Sequence, residues 1–384
     1  MALSVNLNGD KLPLQFKAFD TPAKVLQCAS IKQPNLYFYL DYPLKVKDTF
    51  SPERFMTVLL QRKGLRENDI FEVHDKIHNT RIGWCFPIQS LCSTEHSYAD
   101  NEYFLNYASI AAIRLFEDTN ESCARIPIVT DGMNLSFLDF FPDTTAVLVI
   151  SLEKIDDPNG FVLNDWTPSF FQYGYIPVLS QPDRDVVFSG IQPEGVKLQI
   201  TPVSKEVQNR VFVDNVFTSL LPYESNSLLL FFYQYQIIEL LLGQVFEAEQ
   251  KSLVEKLISY ASDSVKTKEV LDEINKISSE KKRLSLLFEN YMNDTFEKSQ
   301  LVAACNSFLN SHNRETSTNL HESLYKVRNV LFHQYRDVIS ASGDQLKNIC
   351  QEFSYLLVQL VSNYRAPVSS HPETIPLETE PASS

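Results

Sequence analysis

Arg328, Asn329 and His333 place a permanent cation, an amide and an imidazole within six residues of one another, with Lys326, Tyr335 and Arg336 close by. An imidazole moves protons near neutral pH, and a forked guanidinium binds oxyanions in two-point fashion. These types are what proton transfer beside a phosphoryl or carboxyl group requires. The element that must position them runs from Asn319 to Ile339. Asn319 followed by Glu322 has the form of a helix start, a capping side chain with an acid three residues on. Leu320, Leu324, Val327, Leu331, Tyr335 and Val338 then recur at helical period, which predicts an inward-facing stripe. At about 100° per residue, His333 points away from that stripe together with Glu322, Lys326, Asn329 and Arg336. Asn329 lies one turn before His333 and can touch it. Arg328 is five positions before His333, roughly 140° round the helix, and flanks the stripe instead. Arg328 and His333 converge only if the long arginine wraps round the helix or a second copy of the helix meets the first across a two-fold axis. The plain alternative is a solvated polar face.

The string Arg328-Asn329-Val330-Leu331-Phe332-His333, Arg-polar-x-x-x-His on a helix late in a helical bundle, resembles the signature of HEPN domains (higher eukaryotes and prokaryotes nucleotide-binding). The preceding Leu324-Tyr325-Lys326-Val327 resembles its usual context, and the run from Phe231 to Leu241 is similar to the first long helix of several HEPN groups. The resemblance covers residues 206–365. It implies metal-independent RNA cleavage at a homodimer interface: the RNA 2′-hydroxyl attacks the adjacent phosphorus, His333 moves the proton, Arg328 holds the charged phosphoryl oxygens and Asn329 orients one or the other. Lys326 and Arg336 are the expected RNA-binding cations. A two-fold pair supplies two histidines, one as base and one as acid. No cofactor and no metal is called for. Arg-x4-His-x-Tyr, ending at Tyr335, is also similar to HEPN toxins whose tyrosine is modified by a nucleotidyltransferase antitoxin. Those are single short domains, whereas some 200 residues precede the bundle here, and Tyr335 falls on the core stripe, where it packs.

Glu239 sits on a run that is apolar nearly all round, so its carboxylate is expected to be buried and to need a partner. Arg328 is one candidate; another cation, or protonation in place, serves equally. Other chemistry-bearing residues carry less. His74 and His78 are four apart, but no glutamate follows the first and no third ligand is near. Cys85, Cys92 and His96 form Cys-x6-Cys-x3-His, which is not a metal spacing, and Trp84-Cys85-Phe86-Pro87 reads as packed core. Phosphate-binding glycine loops and a Gly-x-Ser-x-Gly elbow are missing from the chain. The aromatic cluster Trp166 to Tyr175 could stack bases, yet packing is the commoner use.

The supporting framework is an α+β two-domain protein. Residues 1–203 hold most of the Pro and Gly and short apolar runs such as Asn35–Leu40 and Thr145–Ile150, which predict strands; Pro52–Gln61 and Tyr103–Phe116 read as helices. This half is a mixed α/β sensing or regulatory domain. Residues 204–365 are proline-free between Pro222 and the end and are all-helical, with helices expected near 206–220, 226–248, 250–262, 267–291, 295–310, 319–340 and 344–364. Residues 366–384 read as a disordered tail.

The 384 residues carry a formal net charge of -14, which argues against a sequence-independent coat on duplex DNA. Six dispersed cysteines fit free thiols in a reducing compartment, the N-terminus has no secretory pattern, and the Leu228–Leu242 run is interrupted by Gln234, Gln236 and Glu239. A cytoplasmic protein with no membrane span is therefore expected. In function the resemblance implies an endoribonuclease of the toxin or anti-phage abortive-infection type, acting on tRNA, rRNA or mRNA and triggered by a phage or antitoxin protein through residues 1–203. The alternative is a non-catalytic HEPN-like module that binds RNA or protein and dimerises.

Overall fold

The computed structural model describes residues 3–46, 51–130, 134–155, 160–292, 298–333 and 343–365. In chain order the strands are β1 (Ser4–Leu7), β2 (Asp10–Asp20), β3 (Val25–Ser30), β4 (Tyr37–Asp41), β5 (Phe55–Gln61), β6 (Phe71–Asp75), β7 (Thr80–Pro87), β8 (Ile128–Val129), β9 (Thr145–Ser151), β10 (Ile176–Pro177) and β11 (Lys197–Ile200). The helices are α1 (Glu102–Asp118), α2 (Phe137–Phe140), α3 (Leu163–Gln172), α4 (Arg210–Asn215), α5 (Ser227–Ser259), α6 (Ser264–Ile277), α7 (Glu280–Asn290), α8 (Ser299–Ser311), α9 (Leu320–His333) and α10 (Gly343–Asn363). An α+β layout follows, with the strands in the N-terminal part and the long helices C-terminal.

Two sheets build the N-terminal part, one ordered β4-β3-β2-β1-β8 and one ordered β10-β5-β9-β7-β6-β11. The centre of the second sheet is β9, Thr-Ala-Val-Leu-Val-Ile-Ser, buried along its whole length between β5 and β7. A strand with two covered faces can be apolar throughout, and its alternation then serves two cores. Val147 and Val149 pack with Trp84, Phe86 and the apolar side of α1, including Phe104 and Leu115. Ala146, Leu148 and Ile150 pack on the opposite side with Leu60, Val73, Ile82 and Phe170. Helix α1 is capped by Asn101, whose Oδ1 accepts the Phe104 N–H at 3.0 Å.

The stretch expected as a helix over Pro52–Gln61 is instead a single tight turn, Pro52–Arg54, followed by strand β5. Seven residue pairs with β9, and the alternating faces of Phe55-Met56-Thr57-Val58-Leu59-Leu60, outweigh the helical reading of a short apolar run. In the helical part, the two helices expected over 226–248 and 250–262 are one 33-residue helix, because Glu247-Ala248-Glu249-Gln250 holds no breaker. The single helix expected over 267–291 is two, parted at Ser279, whose extended backbone (φ −74°, ψ 128°) opens α7.

Contacts divide the chain into one unit of Met1–Val203 with Asn209–Gln234, and another of Ser204–Gln208 with the chain from Tyr235 onward. The boundary expected after residue 203 therefore shifts for residues 209–234. The reason is local packing on α3: Asn164 Nδ2 donates to Asp214 at 2.9 Å, Arg210 pairs with Asp165, and Phe171 meets Phe217 edge-on at 5.1 Å. Helix α5 begins in the first unit and continues, from Tyr235, in the second. By length and composition it could cross a bilayer, and half of its most apolar window is buried within the protein. Residues 366–384, expected as a disordered tail, lie outside the described residues.

Two glycines make opposite demands. A Cβ on Gly190 would stand 2.0 Å from the Gly174 nitrogen and 2.1 Å from the Tyr173 carbonyl carbon, both backbone atoms, whereas one on Gly243 within α5 meets nothing. Urea unfolding is expected to show Gly190→Ala less stable by about 2–3 kcal/mol and Gly243→Ala more stable by about 0.5–1 kcal/mol.

Candidate functional site

Helix α9 owes its rotation to burial. Leu320, Leu324, Val327 and Leu331 are at most 5% exposed, joined by Ser323 and Val330, and this face packs on α7 and α8. The chain entering α9 is clamped: the Asn306 amide of α8 donates to Ser317 O at 2.8 Å, and its Oδ1 accepts the Ser317 N–H at 3.1 Å. The Ser323 hydroxyl lies 3.1 Å from the same Ser317 carbonyl. Asn319 O accepts the Ser323 N–H at 3.0 Å, so the helix begins where the capping pattern placed it. Glu322 turns to Ser317, whose hydroxyl donates to it at 2.8 Å, and to Lys281 at 2.7 Å. Lys281 first, and then the Ser317 hydroxyl, pull its carboxyl down to about 2.

With that rotation fixed, α9 presents Tyr325, Lys326, Asn329 and His333 to a groove of about 580 Å³. Its opposite wall is the end of α8 and the following turn, where Asn313 adopts a left-handed conformation (φ +53°) and brings Arg314 and Glu315 to the rim. The Arg314 N–H closes that turn on Leu309 O at 2.9 Å. His333 is exposed. Lys326 lies 3.8 Å from Glu315 and reaches Thr316 O at 3.4 Å. The groove thus gathers an imidazole, two cations, two amides and an aromatic ring at one place, with the Glu315 carboxylate at its rim. That set can hold a phosphate and exchange a proton beside it.

Arg328 stands on the other flank of α9, as its angular offset from His333 requires. Its guanidinium carbon is 5.1 Å from the Phe332 ring centre and 6.0 Å from that of Tyr235, and its Nε faces Glu280 Oε1 at 3.7 Å. Nη1 donates to Asn329 Oδ1 at 3.3 Å, so Asn329 touches Arg328 while also lining the groove. Among the described residues no hydrogen bond or ion pair joins Arg328 to His333. Tyr335 and Arg336 lie outside the described residues.

The expectation for Glu239 does not hold. Its side chain is exposed and accepts the Gln236 amide at 2.8 Å. Helix α5 has an outward side, where Gln236 and Glu239 follow the exposed apolar Leu229 and Phe232 at helical spacing. The carboxylate beside Arg328 is Glu280, the first residue of α7, which helix periodicity around Arg328 could not reveal because the pairing joins two separate helices. His74, His78 and His96 have partners of their own. His74 Nε2 meets Glu72 at 2.8 Å, His78 Nδ1 meets Asp75 at 2.5 Å and His96 Nε2 meets Ser90 O at 3.0 Å. Among the described residues no three His, Cys, Asp or Glu side chains are grouped to hold a metal ion. The aromatic cluster is largely interior, with Trp166, Phe170, Phe171 and Tyr175 all buried.

Glu322 gives a test of how the start of α9 is held. Its carboxyl lies below its ordinary value, so its contribution is complete above pH ~4.5 and is lost as pH falls toward about 2. Thermal melts of wild type and Glu322→Gln are expected to differ at pH 7, to converge by about pH 2, and to differ less at high salt. When the chain was compared with models of known protein families, with curated proteins and with solved structures, nothing matched.

Proposed function

We propose that this protein is a HEPN-type endoribonuclease that cleaves RNA by 2′-hydroxyl attack, with His333 and Arg328 as its central pair. The observation that carries the reading is the single groove that collects Lys326, Asn329 and His333, with Arg328 bonded to Asn329 at its wall. His333 removes the 2′-hydroxyl proton, the 2′-oxygen bonds to phosphorus, and the 5′-oxygen leaves with a proton supplied by the second histidine of a homodimer. Lys326 and Arg314 attract the backbone, and Arg328 steadies the charge that grows on the phosphoryl oxygens. The reading assigns no cofactor. Its partners are tRNA, rRNA or mRNA and a second copy of the chain, in the cytoplasm and without a membrane. Residues 1–203 act as the regulatory module, with a phage or antitoxin protein as trigger, in a toxin or abortive-infection role that rests on family analogy alone.

A second reading is favoured by one observation. Arg328 packs between Phe332 and Tyr235 instead of lining the groove, as it would in a HEPN-like module that binds RNA or protein without cutting it. The two are separated by incubating the purified full chain, with chelator present, on tRNA and ribosomal RNA beside Arg328→Ala and His333→Ala. Cleavage reduced by about 100-fold or more in each variant is expected. Cleavage that persists in both variants discards this site, and RNA bound but uncut by wild type favours the second reading.

A further inference from the structure

Arg328 has two edges in different surroundings. The Nε edge faces Glu280 Oε1 at 3.7 Å, an ion-pair approach without a hydrogen bond, while Nη1 donates to Asn329 Oδ1 at 3.3 Å, on the groove wall. A guanidinium is planar, so fixing one edge directs the other. Glu280 is itself held: the Tyr235 hydroxyl donates to the same Oε1 at 2.7 Å. Tyr235 is fully buried, and burial, reinforced by Glu280, pushes its hydroxyl pKa up, so it stays protonated and remains a donor. Phe332, one turn beyond Arg328 on the same helix, covers the guanidinium at 5.1 Å. Three helices therefore converge on one cation, α5 through Tyr235, α7 through Glu280 and α9 through Phe332. At 3.7 Å, with no hydrogen bond made by Nε among the described residues, the pair is a loose one that acts through direction more than through stability.

We propose that Glu280, anchored by the Tyr235 hydroxyl, is the positioning residue for Arg328, occupying its Nε edge and turning the Nη edge toward Asn329 and the groove. The chemical consequence rests on the nuclease reading above; the contact rests on side-chain geometry. Glu280 touches no reacting atom. It acts through Arg328, and its loss leaves a long flexible cation free to swing from the groove wall. Misplacement by about 1 Å costs on the order of 100-fold in rate.

The test uses the full chain as wild type, Glu280→Gln, Tyr235→Phe and His333→Ala, with two readouts. The first is the rate at which phenylglyoxal modifies Arg328, followed by peptide mass spectrometry. It is expected to rise several-fold in Glu280→Gln and in Tyr235→Phe, and a wild-type rate in both overturns the contact. The second is steady-state RNA cleavage. Glu280→Gln is expected to lower kcat by about 10- to 100-fold with KM unchanged, Tyr235→Phe less so, and melting temperatures should stay near that of wild type, which a merely structural role would not allow. Glu280→Gln cutting at the wild-type rate while His333→Ala is inactive overturns the positioning role and leaves the nuclease reading intact. A faster Glu280→Gln also overturns it, in favour of a latch that withholds Arg328. If wild type does not cut, or His333→Ala cuts as wild type does, the nuclease reading fails and the labelling rates alone judge the Glu280 contact.

Discussion

The rotation of α9 about its own axis is the constraint on which the rest depends. Leu320, Leu324, Val327 and Leu331 are buried nearly completely, and each such side chain is worth roughly 1.5–3 kcal/mol as an upper estimate. Turning the helix by one residue would return most of that apolar surface to water and leave the Ser323 hydroxyl without its carbonyl partner. Everything chemical follows from this fixed angle. His333, Asn329 and Lys326 meet in the groove with Arg314, and Arg328 is sent to the opposite flank, toward α5 and α7.

The charges around the site are paired in a graded way. Glu322 is committed to Lys281 and Ser317, which secures the start of the helix. Glu280 is held by Tyr235 and faces Arg328 from a partly buried position. Glu315 is the loosest, with its side chain 95% exposed and its carboxylate 3.8 Å from Lys326. A contact so long and so solvated is worth little, of order 0–1 kcal/mol, and a phosphate can replace it. In a chain with a net charge of -14, the proposed anionic ligand would find cations here because the acids nearest the groove are either occupied elsewhere or easily displaced.

What could be read from the sequence was what depends on local periodicity. The inward stripe of α9, the outward direction of His333 and the offset of Arg328 all follow from 100° per residue, and the structure repeats them, the stripe as far as Leu331, with Tyr335 and Val338 outside the described residues. The run Thr145–Ile150 was legible as a strand because it is short, rich in β-branched residues and bounded by turn signals. Legibility ended where partners come from elsewhere in the chain. Pro52–Gln61 looked helical until β9 was set beside it. Glu239 looked buried because the polar positions of α5 are sparse, and only the packed helix shows that Glu239 faces outward while Gln234 and Gln244 are buried. Glu280 could not have been chosen over the other acids of the helical half, since nothing local to Arg328 records that α7 begins opposite it. The grouping of residues 209–234 with the first unit was hidden for the same reason, being decided by α3.

The central claim is the chemistry assigned to the groove, and the ends of the cleaved RNA test it most directly. Attack by the 2′-hydroxyl forms a new bond from that oxygen to phosphorus and breaks the bond to the 5′-oxygen. Products made by the full chain in the presence of chelator should therefore carry a 2′,3′-cyclic phosphate on one fragment and a 5′-hydroxyl on the other. Fragments bearing a 5′-phosphate and a 3′-hydroxyl, or cleavage that stops when divalent ions are removed, would contradict the account.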